Sequence, residues 1–187
     1  RCSSMAKKLA EEGYIAFAID VHGGGKTITD MAELMPTLTP YFQDRAMLLQ
    51  RMQGAVAAAK TIPGADLARM GAMGYCFGGM AVIEGVRGGL NLSGVVSFHG
   101  LLQTGEDPNP GHHGAERPAL KLSPNNYNTG TIIVIENGAD DHLVSDESKQ
   151  RFFAEMDEAG VDWSFHHHAK TPHGFALPPR LGPPGRL

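Results

Sequence analysis

Apolar positions along this chain fall into two rhythms. Short, nearly unbroken apolar runs alternate with stretches in which apolar residues recur every three or four positions. Residues 3–12 read as a helix, with Ser3 or Ser4 as a cap and Gly13 as its stop. Tyr14–Asp20 is an apolar, β-rich run bounded by glycine and is expected as a buried strand. Residues 22–40 are rich in Gly, Thr and Pro and read as a long surface loop. Thr39-Pro40 then signals a helix start, and apolar residues at 42, 46, 49, 52, 56 and 59 lie on one helical face of residues 41–60. Pro63-Gly64 breaks that pattern.

Beyond the break the alternation is regular. Arg69–Tyr75 reads as a strand, Phe77–Val86 as a helix and Gly94–Phe98 as a strand. Residues 100–130 form a polar loop, and Thr131–Glu136 is the clearest strand. Asp146–Ala159 is a helix with an acidic first turn, Phe152, Phe153, Met156 and Ala159 inward, and Gly160 at its end. Val161–His167 is a fifth strand. Apolar strands alternating with helices predict an α/β fold of the α/β-hydrolase type, a mostly parallel sheet of about five strands with helices on both faces. One domain is expected over 1–177, followed by a Pro/Gly-rich tail at 178–187.

Composition narrows the classes. The chain has 187 residues, 42% hydrophobic and 19% charged, enough to bury a core and to exclude bulk disorder. Net charge is −4 with no basic stripe, so nucleic acid is excluded as a partner. No apolar run approaches 18 residues, so no membrane partner is expected. Cys2 and Cys76 offer neither a disulfide framework nor zinc spacing, which points to a reduced, cytoplasmic compartment. The chain opens on Arg1 inside a helix, so a fragment is expected, with room for an upstream targeting peptide.

The most informative stretch is Gly74-Tyr75-Cys76-Phe77-Gly78-Gly79, between a strand and a helix. It is the G-x-S-x-G nucleophile elbow with Cys in place of Ser. Small residues two before and two after the nucleophile let strand and helix approach closely. The thiol then sits at a helix N-terminus, where the dipole favours thiolate, and the backbone N–H of Phe77 can donate to an oxyanion. A triad on this fold runs nucleophile, acid, His. The acid is expected after the strand ending at Glu136, where Asn137-Gly138-Ala139-Asp140-Asp141-His142 stands. The base is expected after the last strand, where Thr171-Pro172-His173-Gly174-Phe175 stands.

The elbow, the Gly-Ala-Asp-Asp-His-Leu-Val loop at 138–144 and the His-Gly-Phe loop at 173–175 closely resemble the dienelactone hydrolase family. Leu-Ala-Glu-Glu-Gly-Tyr-Ile-Ala at 9–16 and Val-Val-Ser-Phe-His-Gly at 95–100 match as well, so the resemblance covers about residues 1–177. It implies Cys76 as nucleophile, Asp141 as acid and His173 as base. Asp141 is preferred to Asp140 because the family's Gly-x-x-Asp spacing counts from Gly138. The implied chemistry is opening of a cyclic enol-lactone or hydrolysis of related esters, on a small-molecule substrate and without cofactor or metal. The resemblance also implies eight strands, of which those seen here match the last five. A second oxyanion donor, and a Glu near the resting thiol, would lie upstream of Arg1. The family's closing helix after the His-Gly-Phe loop is replaced by 178–187. Leu177 stands where well-studied members place an Arg that holds the substrate carboxylate, which points away from dienelactone itself. The full-length protein is expected to be a monomer.

Other features have simpler readings. His22-Gly23-Gly24-Gly25 mimics a lipase oxyanion loop, but only one predicted helix separates it from the elbow strand, so it reads as a strand-following loop. In His166-His167-His168, strand alternation lets at most His166 and His168 share an ion, and no Cys or carboxylate stands at ligand spacing in the sequence. A solvated run is the simpler reading, as it is for His112-His113. His99 follows a strand, from where it could approach the site, but a core or turn role is the simpler reading, and Cys2 reads as a bystander on the first helix. Two rival classes remain. One is the superfamily of elbow-cysteine hydrolases and amidases in which His follows the Cys directly, a place held here by Phe77. The other is an inactive binding homologue or truncated product.

Overall fold

The computed structural model describes residues 2–25, 28, 30–103 and 126–177. The tail at 178–187, His112-His113 and most of the expected 100–130 loop lie outside the described residues. Helices α1 (Cys2–Glu11), α2 (Met31–Gln43) and α3 (Arg45–Ala59) come first. A 3₁₀ turn at Leu67–Arg69 leads into β1 (Gly71–Tyr75), then α4 (Phe77–Arg87), β2 (Gly94–Phe98), β3 (Ile132–Asp140), α5 (Asp146–Ala159) and β4 (Asp162–Pro172). The four strands form one sheet in the order β1-β2-β3-β4, every neighbouring pair parallel.

Alternation along the strands sorts the two faces. Val95, Ser97, Ile133 and Ile135 point to one side and are buried to 1% exposure or less. Helix α4 packs against β1 and β2 on that side, with Met80, Ile83 and Val86 buried. Phe152 and Phe153 of α5 meet Trp163 of β4, the register partner of Ile133. The alternate row, Met73, Tyr75, Val96, Phe98 and Val134, is half-buried, and Ile132 is exposed.

An ionic cluster lies among these helices. The fully buried Arg87 donates to Glu84 Oε1 at 2.7 Å, to both carboxylate oxygens of Glu155 at 2.7 Å, and to the Leu102 carbonyl at 2.9 Å. Arg45 reaches Glu84 from α3 at 3.1 Å, and the Tyr127 hydroxyl donates to Glu155. Nearly every donor and acceptor here is paired, the condition under which buried charge is tolerated.

The N-terminal third departs from the expected order. Tyr14–Asp20 forms no strand, and among the described residues the sheet has four strands rather than five. A strand exists through its ladder partners, and β1 pairs only with β2 among the described residues. Unpaired, the run leaves Tyr14, Ile15 and Phe17 at 67%, 52% and 45% exposure. The expected 22–40 loop is half helix. Asp30 caps α2 by accepting from Ala32 N, and Thr39-Pro40 lies inside that helix rather than starting one. Asp44 then ends α2 and caps α3 by accepting from Met47 N, so the single helix expected over 41–60 is two. Its buried face carries Arg45, Leu48 and Met52. Both later strands outlast their apolar runs. Asn137 and Gly138, neither of them apolar in side chain, continue the ladder opposite His167 and His168, and Asp140 pairs Pro172 across an irregularity.

Candidate active site

The elbow is built by backbone geometry that its sequence makes affordable. Cys76 has φ 53° and ψ −117°, a conformation that L residues avoid. A Cβ at Gly74 would lie 2.0 Å from the Gly78 carbonyl oxygen, and one at Gly79 would lie 2.7 Å from Ser97 Oγ and 2.8 Å from Gly100 Cα. A Cβ at Gly78 would meet nothing within 4 Å. Strand and helix thus approach closely where Gly74 meets the Gly78 backbone, and a second tight contact, at Gly79, excludes a side chain three residues past Cys76. As the first residue of α4, Phe77 has no carbonyl behind it in the helix to receive its N–H.

The three loops after β1, β3 and β4 converge on one point. His173 Nε2 lies 3.2 Å from Cys76 Sγ, and His173 Nδ1 lies 2.9 Å from Asp141 Oδ2. The Asp141 side chain is fully buried and that of His173 is 15% exposed. The other Asp141 oxygen accepts from Leu143 N at 3.0 Å, which fixes the carboxylate plane. Close passage of β3 against β4 sets the loops' spacing: a Cβ at Gly138 would stand 2.2 Å from the Thr171 carbonyl oxygen. Asp140, by contrast, is exposed and belongs to the ladder. Burial disfavours charge on His173. The hydrogen bonds and negative charge of Asp141 and Cys76 outweigh it and raise the imidazole pKa to about 9.

Two further histidines border this point. His99, fully buried just after β2, accepts the Cys76 N–H through Nδ1 at 3.1 Å and lies edge-on to His173, ring centroids 4.9 Å apart. Burial, then the neighbouring His173, depress its pKa to about 4. It is a core residue, as its sequence context suggests, and it also borders the site. Its position one residue past a strand's C-terminal end was the available signal. His22 stacks on the Phe77 ring at 5.6 Å and tilts against Tyr41 at 5.4 Å. Asp20 shapes its loop by accepting from Gly23 N and Gly25 N at 2.9 and 2.7 Å. The loop thus reaches the elbow through side-chain packing.

The histidine run has a carboxylate partner that linear spacing hid. Glu136 of β3 sits opposite His166, and its two oxygens meet His166 Nδ1 at 2.7 Å and His168 Nε2 at 2.5 Å. Each ring nitrogen is spent on a different oxygen. Among the described residues, no group of three or more His, Cys, Asp or Glu side chains is arranged to hold a metal ion. Nor is any helix among them long and apolar enough to cross a membrane.

A parallel sheet whose strand ends carry an elbow cysteine beside a histidine–carboxylate pair defines an α/β-hydrolase-type protein. Comparison with known proteins sharpens this: residues 1–181 match the dienelactone hydrolase family, and the chain belongs to that family of hydrolases. It is 31% identical over 136 residues to an uncharacterized protein of Caenorhabditis elegans, covering 72% of this chain and 77% of the other. Among solved structures it resembles a dienelactone hydrolase-like promiscuous phosphotriesterase from metagenomic libraries. Identity there is 30%, with a TM-score of 0.78 over 96% of this chain and 68% of that one. A second structure, described as m3DLH, gives 30% identity and a TM-score of 0.79, covering 99% and 70% of the two chains.

Proposed function

We propose that this hydrolase cleaves a lactone or carboxylic ester with Cys76 as nucleophile, His173 as base and Asp141 as the acid that orients it. The observation that carries the reading is the unbroken line from Asp141 Oδ2 to His173 Nδ1 and from His173 Nε2 to Cys76 Sγ, at 2.9 and 3.2 Å. His173 takes the thiol proton, and the thiolate adds to the substrate carbonyl. The Phe77 N–H stabilises the resulting oxyanion. Collapse of the tetrahedral adduct expels the alkoxide or enolate, which receives the proton from His173, and leaves a thioester on Cys76. Water, deprotonated by His173, then attacks the thioester and releases the acid and the thiol. Asp141 holds the Nδ1–H tautomer and steadies the imidazolium at both stages. Thiolates favour good leaving groups, so enol and aryl esters are the expected substrates over amides. Leu177 in place of a carboxylate-binding Arg favours uncharged ones.

The test is hydrolysis of p-nitrophenyl acetate by the wild type and by Cys76→Ala, with intact mass read during turnover. An acetyl adduct on the wild type and no activity in the variant are expected. Turnover by Cys76→Ala at the wild-type rate would exclude the nucleophile. One solved relative is described as a promiscuous phosphotriesterase, so a phosphotriester is the second substrate to assay on the same pair.

A further inference from the structure

Three non-glycine residues among those described have positive φ: Cys76 at 53°, His99 at 41° and Lys170 at 55°. Two of the three meet in one hydrogen bond, from the Cys76 N–H to His99 Nδ1 at 3.1 Å. That N–H is shared with the Phe98 carbonyl at 3.0 Å, the bond that would close the β1–β2 ladder without any side chain. His99 therefore supplies a second acceptor at the point where the chain leaves the strand for the strained nucleophile. Its own N–H donates to the Glu136 carbonyl at 2.8 Å, which ties the elbow to β3, the strand that leads into Asp141. The ring is fully buried and edge-on to both His173 at 4.9 Å and Phe175 at 5.5 Å.

We propose that His99 is a positioning residue for the reaction: its imidazole holds the backbone of Cys76 through Nδ1 and seats the ring of His173 by edge-to-face contact. The inference rests on the roles proposed above for Cys76 and His173. Because Nδ1 accepts, the ring proton stands on Nε2, and that atom is buried with no hydrogen-bond partner among the described residues. An unpaired buried donor costs stability, so a ring kept only for packing would be better served by Phe. The low pKa of about 4 keeps His99 neutral. His173 can then become an imidazolium without a second cation beside it.

Three substitutions separate acceptor from bulk. His99→Phe keeps the ring and loses the acceptor. His99→Asn places an amide oxygen near the Nδ1 position and tolerates positive φ, but loses the ring. His99→Ala loses both. Each is made in Cys2→Ala, which leaves Cys76 as the lone thiol. The kcat and KM for p-nitrophenyl acetate, the rate of Cys76 alkylation by iodoacetamide and thermal midpoints are then compared. For Phe and Ala, a fall in kcat of about tenfold to a hundredfold is expected, the loss typical of a misplaced catalytic group, with KM within about twofold and slower alkylation. Asn is expected to recover part of both rates even where its thermal midpoint is lower than that of Phe. Wild-type kcat in His99→Phe, or an order of rates that follows thermal midpoint instead of the acceptor, overturns the proposal. Should Phe not fold, the Asn and Ala pair decides, since equal rates in those two also overturn it. Cys76→Ala run alongside keeps the two claims apart. Activity there defeats the triad reading, whereas loss there with an unaffected His99→Phe defeats this inference alone.

Discussion

Two histidine–carboxylate sets are built on the same two strands, and only one of them faces the elbow cysteine. Asp141 and His173 lie in the loops after β3 and β4, with side chains 0% and 15% exposed. Glu136, His166 and His168 lie on those strands themselves, and the two rings are 54% and 43% exposed. Contact distances are similar, at 2.9 Å in the first set and 2.7 and 2.5 Å in the second. The difference is in surroundings. Asp141 is sealed from water and its second oxygen is held by Leu143 N, so its charge acts on His173 at low effective dielectric. Glu136 divides its oxygens between two rings that water can screen. A carboxylate beside a histidine is common chemistry; burial and a third group in line distinguish the pair at the elbow.

The largest separation between the sets should come from neutralising each carboxylate. Asp141→Asn is expected to lower kcat by about 10²–10⁴-fold, because the tautomer and the imidazolium both lose their partner. Ester hydrolysis under saturating substrate checks this, and a loss under threefold would erase the contrast. Titration gives the next effect. His173 has a folded pKa of about 9 against an unbound value of 6.5, so its contribution to stability is full below about pH 6.5 and is lost as pH rises through about 9. Thermal unfolding followed from pH 6 to pH 10 should show a decline on the order of 1–3 kcal/mol, which Asp141→Asn flattens and Glu136→Gln leaves in place.

The smallest effects belong to the exposed set. Glu136→Gln is expected to change stability by less than about 1 kcal/mol and kcat by less than about twofold. Burial opposes charge on Glu136, and hydrogen bonds from His168 and His166 win, lowering its pKa. Any loss should therefore appear above the ordinary carboxylate range and vanish as pH falls through it. Asp140→Asn should be quieter still, since that residue is exposed and, unlike Asp141, forms no hydrogen bond to His173. Steady-state kinetics on both variants suffices. If Asp140→Asn proves more damaging than Asp141→Asn, the acid has been misplaced by one residue.

Legibility followed the physics of each segment. β2 was readable at both ends because Gly94 and His99 bracket a run that is nearly all apolar. α5 was readable because Ser145 caps it, acids fill its first turn and Gly160 takes the left-handed position. The elbow was readable because strand, strained residue and helix impose glycines in a fixed pattern. Tyr14–Asp20 misled because apolarity predicts burial only when a neighbour is available to pair. α2 was hidden by Pro36 and Pro40, which look like loop residues until Asp30 is seen to cap a helix running through both. Glu136 and the histidines of β4 are 30 and 32 positions apart, and only the parallel register joins them. For His99, the place after β2 shows that it can approach the site, but its hydrogen-bond partner is a backbone N–H, which no residue type marks.

The clasp around Arg87 has a consequence for how the enzyme should respond to ionic strength. Mobile ions attenuate fields over a Debye length of about 8–10 Å in ordinary buffers, but only where they can enter. The Arg69–Asp66 pair, 84% and 46% exposed, is open to them. The Arg87–Glu84 pair is closed to them, at 0% and 3%. It joins α4, which begins one residue past Cys76, to α3 through Arg45 and to α5 through Glu155. The helix that presents Cys76 is therefore moored mainly by charges that brine cannot reach, with Glu155 the most accessible at 18%, and its seat should change little between dilute buffer and molar salt.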